Sequence, residues 1–105
     1  MITLQLTTFE RLTLGNWVAQ QTGDVRQIRQ WIRVLDVLEL SEAEKRAVTF
    51  VQHPDGRAVW ADTERMWEIA LEDAHFAMLQ PALEAEWPAN RLILEMLEKI
   101  EAAGN

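Results

Sequence analysis

The chain has 105 residues, no cysteine and a formal net charge of −7, and 49% of its residues are hydrophobic. That length and apolar content predict a single domain, 1-105, able to bury its own core. The lack of cysteine excludes a disulfide framework and any cysteine-ligated zinc or iron–sulfur site, and it suits a reducing cytoplasm.

The N-terminal stretch MITLQLTTFERL has no basic region followed by an apolar run, and no segment approaches the roughly 18 apolar residues of a membrane span. Neither export nor membrane insertion is expected. Ile2, Leu4 and Leu6 alternate with polar residues, which predicts a short N-terminal strand that pairs with a later hairpin. From Thr8, the series Phe9, Leu12, Trp17 and Val18 predicts a first helix to about Gln21, weakened near Gly15 and Asn16. Gly23 followed by Asp24 marks a stop and a new N-cap. A second helix is therefore expected over Val25 to Leu38, with Val25, Ile28, Ile32 and Leu35 inward and Trp31 and Leu38 extending that face. Arg26, Arg29 and Arg33 form a separate basic strip, able to contact phosphate or to pair with acids of the same molecule. Ser41-Glu42-Ala43-Glu44 is a capping box that opens a short third helix to about Val48. Pro54-Asp55-Gly56 then closes a hairpin spanning about 49-61, since proline presets one backbone angle and glycine permits a positive one.

The run from Asp62 to Glu86 reads as one long amphipathic helix. At about 100° per residue, Met66, Trp67, Ala70, Leu71, Ala74, Ala77 and Met78 share a broad apolar arc, with Glu64, Glu68, Glu72 and Glu86 opposite. Ile69, Phe76 and Leu83 make a second seam at seven-residue spacing, and Pro81 kinks or restarts the helix. After the break at Trp87-Pro88, a last helix opens at Ala89 or Asn90 with Leu92, Ile93, Met96, Leu97 and Ile100 inward. The expected fold is mainly α: four to five helices around a long central helix (about 62-86), one β-hairpin (about 49-61) and a short N-terminal strand.

The chemistry-bearing inventory is thin. There is no Cys or Tyr, the lone serine, Ser41, is a helix cap, and the two histidines, His53 and His75, are distant in sequence. Glu72 and His75 have the Glu-x-x-His spacing of di-metal bundles, but a single copy without a second motif reads as a solvated histidine. Glu84 with Glu86 and Glu95 with Glu98 are ordinary pairs on solvated helix faces. The expectation is a non-enzymatic protein without metal or cofactor.

Charge placement suggests what it binds. Residues 1–61 hold seven acids and seven bases, while residues 62–105 hold ten acids against Arg65, Arg91 and Lys99, so the whole excess lies in the C-terminal half. Such a half repels nucleic acid and anionic membranes and attracts a basic protein surface. The expected partner-binding residues are the acidic row Glu64, Glu68 and Glu72, the apolar seam Ile69, Phe76 and Leu83, and Trp87, the tryptophan outside the predicted elements. One alternative is a homo-oligomeric structural or assembly component joined through that seam. Another is a winged-helix-like DNA-binding regulator, suggested by three helices followed by a hairpin but opposed by Glu42 and Glu44 on the would-be recognition helix.

Thr8, Glu10-Arg11 and Leu14, then Gly23-Asp24 before a helix holding Arg29, then Leu38, Leu40-Ser41 and Glu44 ahead of a hairpin and an acidic helix, form a pattern. It resembles short uncharacterised acidic helical proteins encoded by tailed phages and prophages. The resemblance spans the first half well and the remainder in outline. It implies a phage or bacterial origin, with the cytoplasm of a bacterium or of an infected host cell as the location, and carries no activity or site residue with it.

Overall fold

The computed structural model describes residues 1–104. Strand β1 (Ile2–Thr7) leads into α1 (Thr8–Ala19), α2 (Val25–Leu38) and α3 (Glu42–Ala47). A small hairpin, β2 (Val51–Gln52) and β3 (Ala58–Val59), precedes β4 (Met66–Leu71). The chain then makes α4 (Asp73–Ala77), a 3-10 turn over Gln80–Glu84 and α5 (Arg91–Ala103).

Local signals set the helix starts. Thr7 caps α1 through its hydroxyl at the Glu10 amide, while the Glu10 carboxylate takes the Thr7 amide at 2.8 Å. Asp24 with Gln27 and Ser41 with Glu44 repeat this reciprocal box at α2 and α3, and the Asn90 side chain accepts the Ile93 amide at α5. Gly23 is required where it stands, because a Cβ there would lie 2.4 Å from the Gln27 side chain that completes the α2 box. The hairpin turn is as expected: His53 N–H donates to Arg57 O at 2.7 Å, and the Asp55 carboxylate accepts the Arg57 amide.

The long central helix over 62–86 does not exist, and the fold is mixed α/β rather than mainly α. Residues 66–71 are a strand that pairs antiparallel with β1, in register from Ile2 opposite Leu71 to Thr7 opposite Met66. The N-terminal strand thus pairs with β4 and not with the hairpin. Along β4, Trp67, Ile69 and Leu71 are buried, while Met66, Glu68 and Ala70 are exposed. Asp62, expected to open the long helix, sits at φ +54 in a turn, and Glu72 takes the N-cap position of α4 without a side-chain cap bond. The segment fits both periods, 3.6 and 2, over its first six residues. What decides between them is β1, whose Leu4 and Leu6 complete a buried face that a helix there would leave without a partner.

The helices α1, α2 and α5 cover one side of this two-stranded sheet, and α1 also packs on α2. The core is Leu4 and Leu6, Leu14 and Val18, Val34 and Leu38, Trp67, Ile69 and Leu71, Phe76 and Leu79, Met96 and Ile100, closed by Leu40, Val48 and Ala82. Trp67 Nε1 donates to Thr8 Oγ1 at 2.9 Å, so the largest core side chain has its one polar group paired. Helix α2 keeps Leu38 buried and Ile28, Trp31 and Leu35 half-buried, as expected, but its inward face is rotated towards Val34, which is buried, and away from Val25 and Ile32, which are 69% and 51% exposed. In α5, Leu92 likewise lies outside. Gly15 does not bend α1, which runs unbroken past it.

Candidate functional site

The first half of the chain uses its buried charges internally. Arg11, with its side chain 2% exposed, donates from Nε to Leu38 O at 2.8 Å, from Nη2 to Glu39 O at 2.7 Å and from Nη1 to Glu44 at 2.9 Å. Its guanidinium thereby closes the carbonyl end of α2 and ties it to α3. Burial pushes the Glu44 carboxyl up, but hydrogen bonds from Arg11 and the Ser41 amide outweigh this and hold it below its ordinary value. Glu10, buried at the start of α1, takes Lys99 Nζ at 2.6 Å and so ties α5 to α1. A cleft of about 330 Å³ opens beside Arg11, with Leu12, Asn16, Leu35, Lys45 and Phe50 among its walls. The donors of Arg11 that face it are already engaged.

The second half uses its charges differently. Asp62, Glu64, Glu68, Glu72, Asp73, Glu84, Glu86, Glu95, Glu98 and Glu101 are all exposed. Of these ten, Asp73 meets the N-terminal ammonium at 2.9 Å and Glu95 meets Arg91 at 3.5 Å. The other eight have no cationic partner among the described residues. Lys99 is engaged by Glu10, and Arg65 lies over the Trp67 ring at 4.3 Å.

A groove runs beside these acids. The segment Ala85, Trp87, Pro88 and Ala89, with Leu94 and Leu97 of α5, walls a cleft of about 510 Å³ that is lined mainly by apolar atoms. Proline at 88 cannot continue a helix from the 3-10 turn, so the chain crosses in extended form and leaves the first turns of α5 uncovered. Trp87 is a fixed wall: its Nε1–H donates to Ala82 O at 2.8 Å, and its ring lies 6.5 Å from Trp17, which in turn meets Trp31 edge-on at 5.6 Å. Leu94 stands 55% exposed on the helix face that Leu97, Glu98 and Glu101 share at spacings of three, four and seven residues. Arg91, three residues before Leu94, is the one charged residue of the groove's lining and pairs with Glu95, so Glu98 and Glu101 lie on α5 beyond the groove itself.

The expected partner-binding residues fall into two groups. Glu64, Glu68 and Glu72 are exposed, in a turn, on the outer face of β4 and at the α4 cap. Ile69 and Phe76 are core residues and Leu83 packs against the core, so the seven-residue seam disappears with the helix that would have carried it. Trp87 is half-buried at the groove. His75 Nε2 lies 2.9 Å from Gln30 Oε1, and Glu72 is exposed at the helix cap. Among the described residues no three His, Asp or Glu side chains converge as metal ligands do, and no helix is long and apolar enough to cross a membrane. Sequence reasoning missed Leu94, although a signal was present: it is the leucine of the last helix that falls outside the inward set.

No family model, curated protein or solved structure matches this chain.

Proposed function

We propose that this is a non-enzymatic protein-binding module whose acidic C-terminal half receives a basic, amphipathic segment of a phage or host protein. The groove walled by Trp87, Pro88, Leu94 and Leu97 carries the reading, because its one charged wall, Arg91, is paired with Glu95, while Glu98 and Glu101 farther along the same helix have no basic partner among the described residues. Apolar burial supplies the affinity, and the unpaired acids select sign and speed encounter. A uniformly charged partner would leave Leu94 wet, and a purely apolar one would leave the carboxylates unanswered. The DNA-binding alternative receives no comparable support. Its recognition helix would be the six-residue α3, which opens on Glu42 and Glu44.

The test is a fluorescein-labelled amphipathic helix of leucine and lysine, titrated with the full chain and followed by anisotropy. Binding should weaken as salt is raised. Leu94→Ser should weaken it about tenfold, the loss expected when one half-exposed leucine no longer joins the contact, and the circular dichroism spectrum should stay unchanged. No binding at low salt, or binding indifferent to Leu94→Ser, would overturn the proposal.

A further inference from the structure

Strands β1 and β4 pair only with each other, so each has one side without a neighbouring strand. Which main-chain groups lie on the open side of β1 follows from the alternation of an antiparallel ladder. Thr7 N–H turns away from β4, since it donates to Glu10 Oε1 at 2.8 Å, and the N–H and C=O of Gln5 and Thr3 turn the same way. Leu4 and Leu6, 2% and 0% exposed with their main chain included, hold the groups that meet β4. Thr3 and Gln5 are exposed, and among the described residues nothing bonds the outward amide or carbonyl of either. Such an edge is ordinarily blunted by a charge, a proline or a bulge. On β4 the exposed Glu68 serves. On β1 nothing does: ITLQLT holds no charged residue, proline or glycine, and its register runs unbroken from Ile2 to Thr7. A chain of net charge −7 repels its own copy, and least where the meeting surfaces carry no charge.

We infer that β1 pairs antiparallel with β1 of a second copy of this chain, across a two-fold axis at Leu4, and so makes a four-stranded sheet in the order β4-β1-β1-β4. In that register Thr3 stands opposite Gln5 of the second copy and Gln5 opposite its Thr3. The free amides and carbonyls of both residues are then all answered, by four hydrogen bonds across the axis. The faces agree as well: Leu4 and Leu6 of both copies stay on the helix-covered side and Thr3 and Gln5 on the other, which a slip of one residue would undo. The same edge meets itself, so the contact is isologous and closes at two copies, with Glu68 guarding each outer strand. Pairing also lifts each sheet above the two strands that are marginal alone. The edge is about 20 Å long, from 6 residues at roughly 3.4 Å each, and covers less than the roughly 800 Å² per partner of a standard interface. The dimer is therefore weak and concentration-dependent. Because main-chain bonds hold it, it is nearly indifferent to salt, unlike peptide binding beside α5.

Sedimentation equilibrium of the full chain tests this. The mean mass should rise from 12.1 kDa towards twice that value as concentration increases, and change little between low and high salt. Hydrogen exchange at the Thr3 and Gln5 amides should slow over the same concentration range. Gln5→Pro removes an outward N–H and none that β4 uses, so it should keep the wild-type circular dichroism spectrum and sediment as a monomer. Gln5→Lys sets an ammonium opposite Glu68 of its own chain, which supports the fold, and should also lose the dimer. Ala70→Pro, the same kind of change on the outer edge of β4, should dimerise as the wild type does. A wild type that stays at 12.1 kDa, a folded Gln5→Pro that is still dimeric, or assembly beyond two copies would overturn the inference. If Gln5→Pro does not fold, Gln5→Lys and the exchange rates decide. Binding of an uncharged extended peptide of alternating threonine and valine by a monomeric wild type would also overturn it, by assigning the edge to a foreign strand. Leu94→Ser should leave the dimer intact, so the groove reading and this one stand or fall separately; a dimer lost in Leu94→Ser would move the contact to the groove and overturn the strand pairing.

Discussion

Replacing Arg11 by methionine should be among the costliest single changes in this protein. The substitution keeps an unbranched apolar stem but removes a guanidinium whose side chain is 2% exposed and which bonds Leu38 O, Glu39 O and Glu44 within 2.9 Å. Three acceptors lose a charged donor at once. Hydrogen bonds to charged groups contribute about 1.5–3 kcal/mol each. Part of the loss is recovered, because water can reach the freed carbonyls through the adjoining cleft, so a net cost of about 3–5 kcal/mol is expected, as for other buried pairs broken on one side. Glu44 is 29% exposed on its side chain, so Glu44→Gln should cost only about 1 kcal/mol. Urea denaturation followed by tryptophan fluorescence measures both. With a slope near 1.5 kcal/mol per M, Arg11→Met should lower the midpoint by about 2–3 M without changing the slope. A loss below about 1 kcal/mol would show that the clamp on α2 contributes little beyond replacing water, and the reasoning would fail.

Other outcomes can be checked in the same assay. The Glu44 carboxyl is held below its ordinary value of 4.5, so its contribution is complete above that value and is lost as pH falls through the lower, folded-state one. Repeating the urea midpoints from neutral to acidic pH should therefore show a shallower acid decline in Glu44→Gln than in the wild type, and parallel curves would contradict the assignment. Strand register predicts that Ile69→Ala costs about 2–5 kcal/mol while Met66→Ser changes stability by less than about 1 kcal/mol. Equal losses would mean that β4 does not present alternate faces. Gly15→Ala should stabilise by about 0.5–1 kcal/mol, since its new Cβ would meet Leu35 Cδ1 at an ordinary 3.5 Å and the helix gains propensity. A destabilised variant would show that α1 and α2 sit closer than that distance allows.

The reading of Met66 to Leu71 shows where inference from the chain fails. MWEIAL carries Trp and Ile, which favour strands, but of its outward residues Met66, Glu68 and Ala70 only Glu68 is polar, so the strand alternation is weak in the sequence. It also fits the helical arc that runs on to Met78. That helical pattern extends to Glu86 without meeting a strong stop before Pro81. The breaks that are present are conformational: Asp62 enters the left-handed region, and Glu72 begins a new helix without a side-chain cap bond. Neither leaves a mark that a propensity scale registers.

The acidity of the C-terminal half was legible, and the groove within it was not. The concentration of acid beyond residue 61 follows from counting, and every one of those acids is exposed. The apolar lining was not legible, since whether Leu94 faces in or out depends on which side of α5 the sheet covers. The same ambiguity misassigned Val25 and Ile32, which lie within a helix whose limits were read correctly.

The sequence by itself determined the features that depend on neighbours a few residues apart: the boxes at Asp24 and Ser41, the turn at Asp55-Gly56, the extent of α2 and the uneven charge. These are decided by hydrogen bonds and backbone angles within one or two turns of chain. Only the tertiary structure decided that residues 66–71 are extended, that Ile69 and Phe76 belong to the core, and that Leu94 and Ile32 stand in solvent. In each case the deciding energy is apolar burial against a distant segment, β1 against β4 above all, and a segment whose own residues satisfy two periods adopts the one its partner can cover.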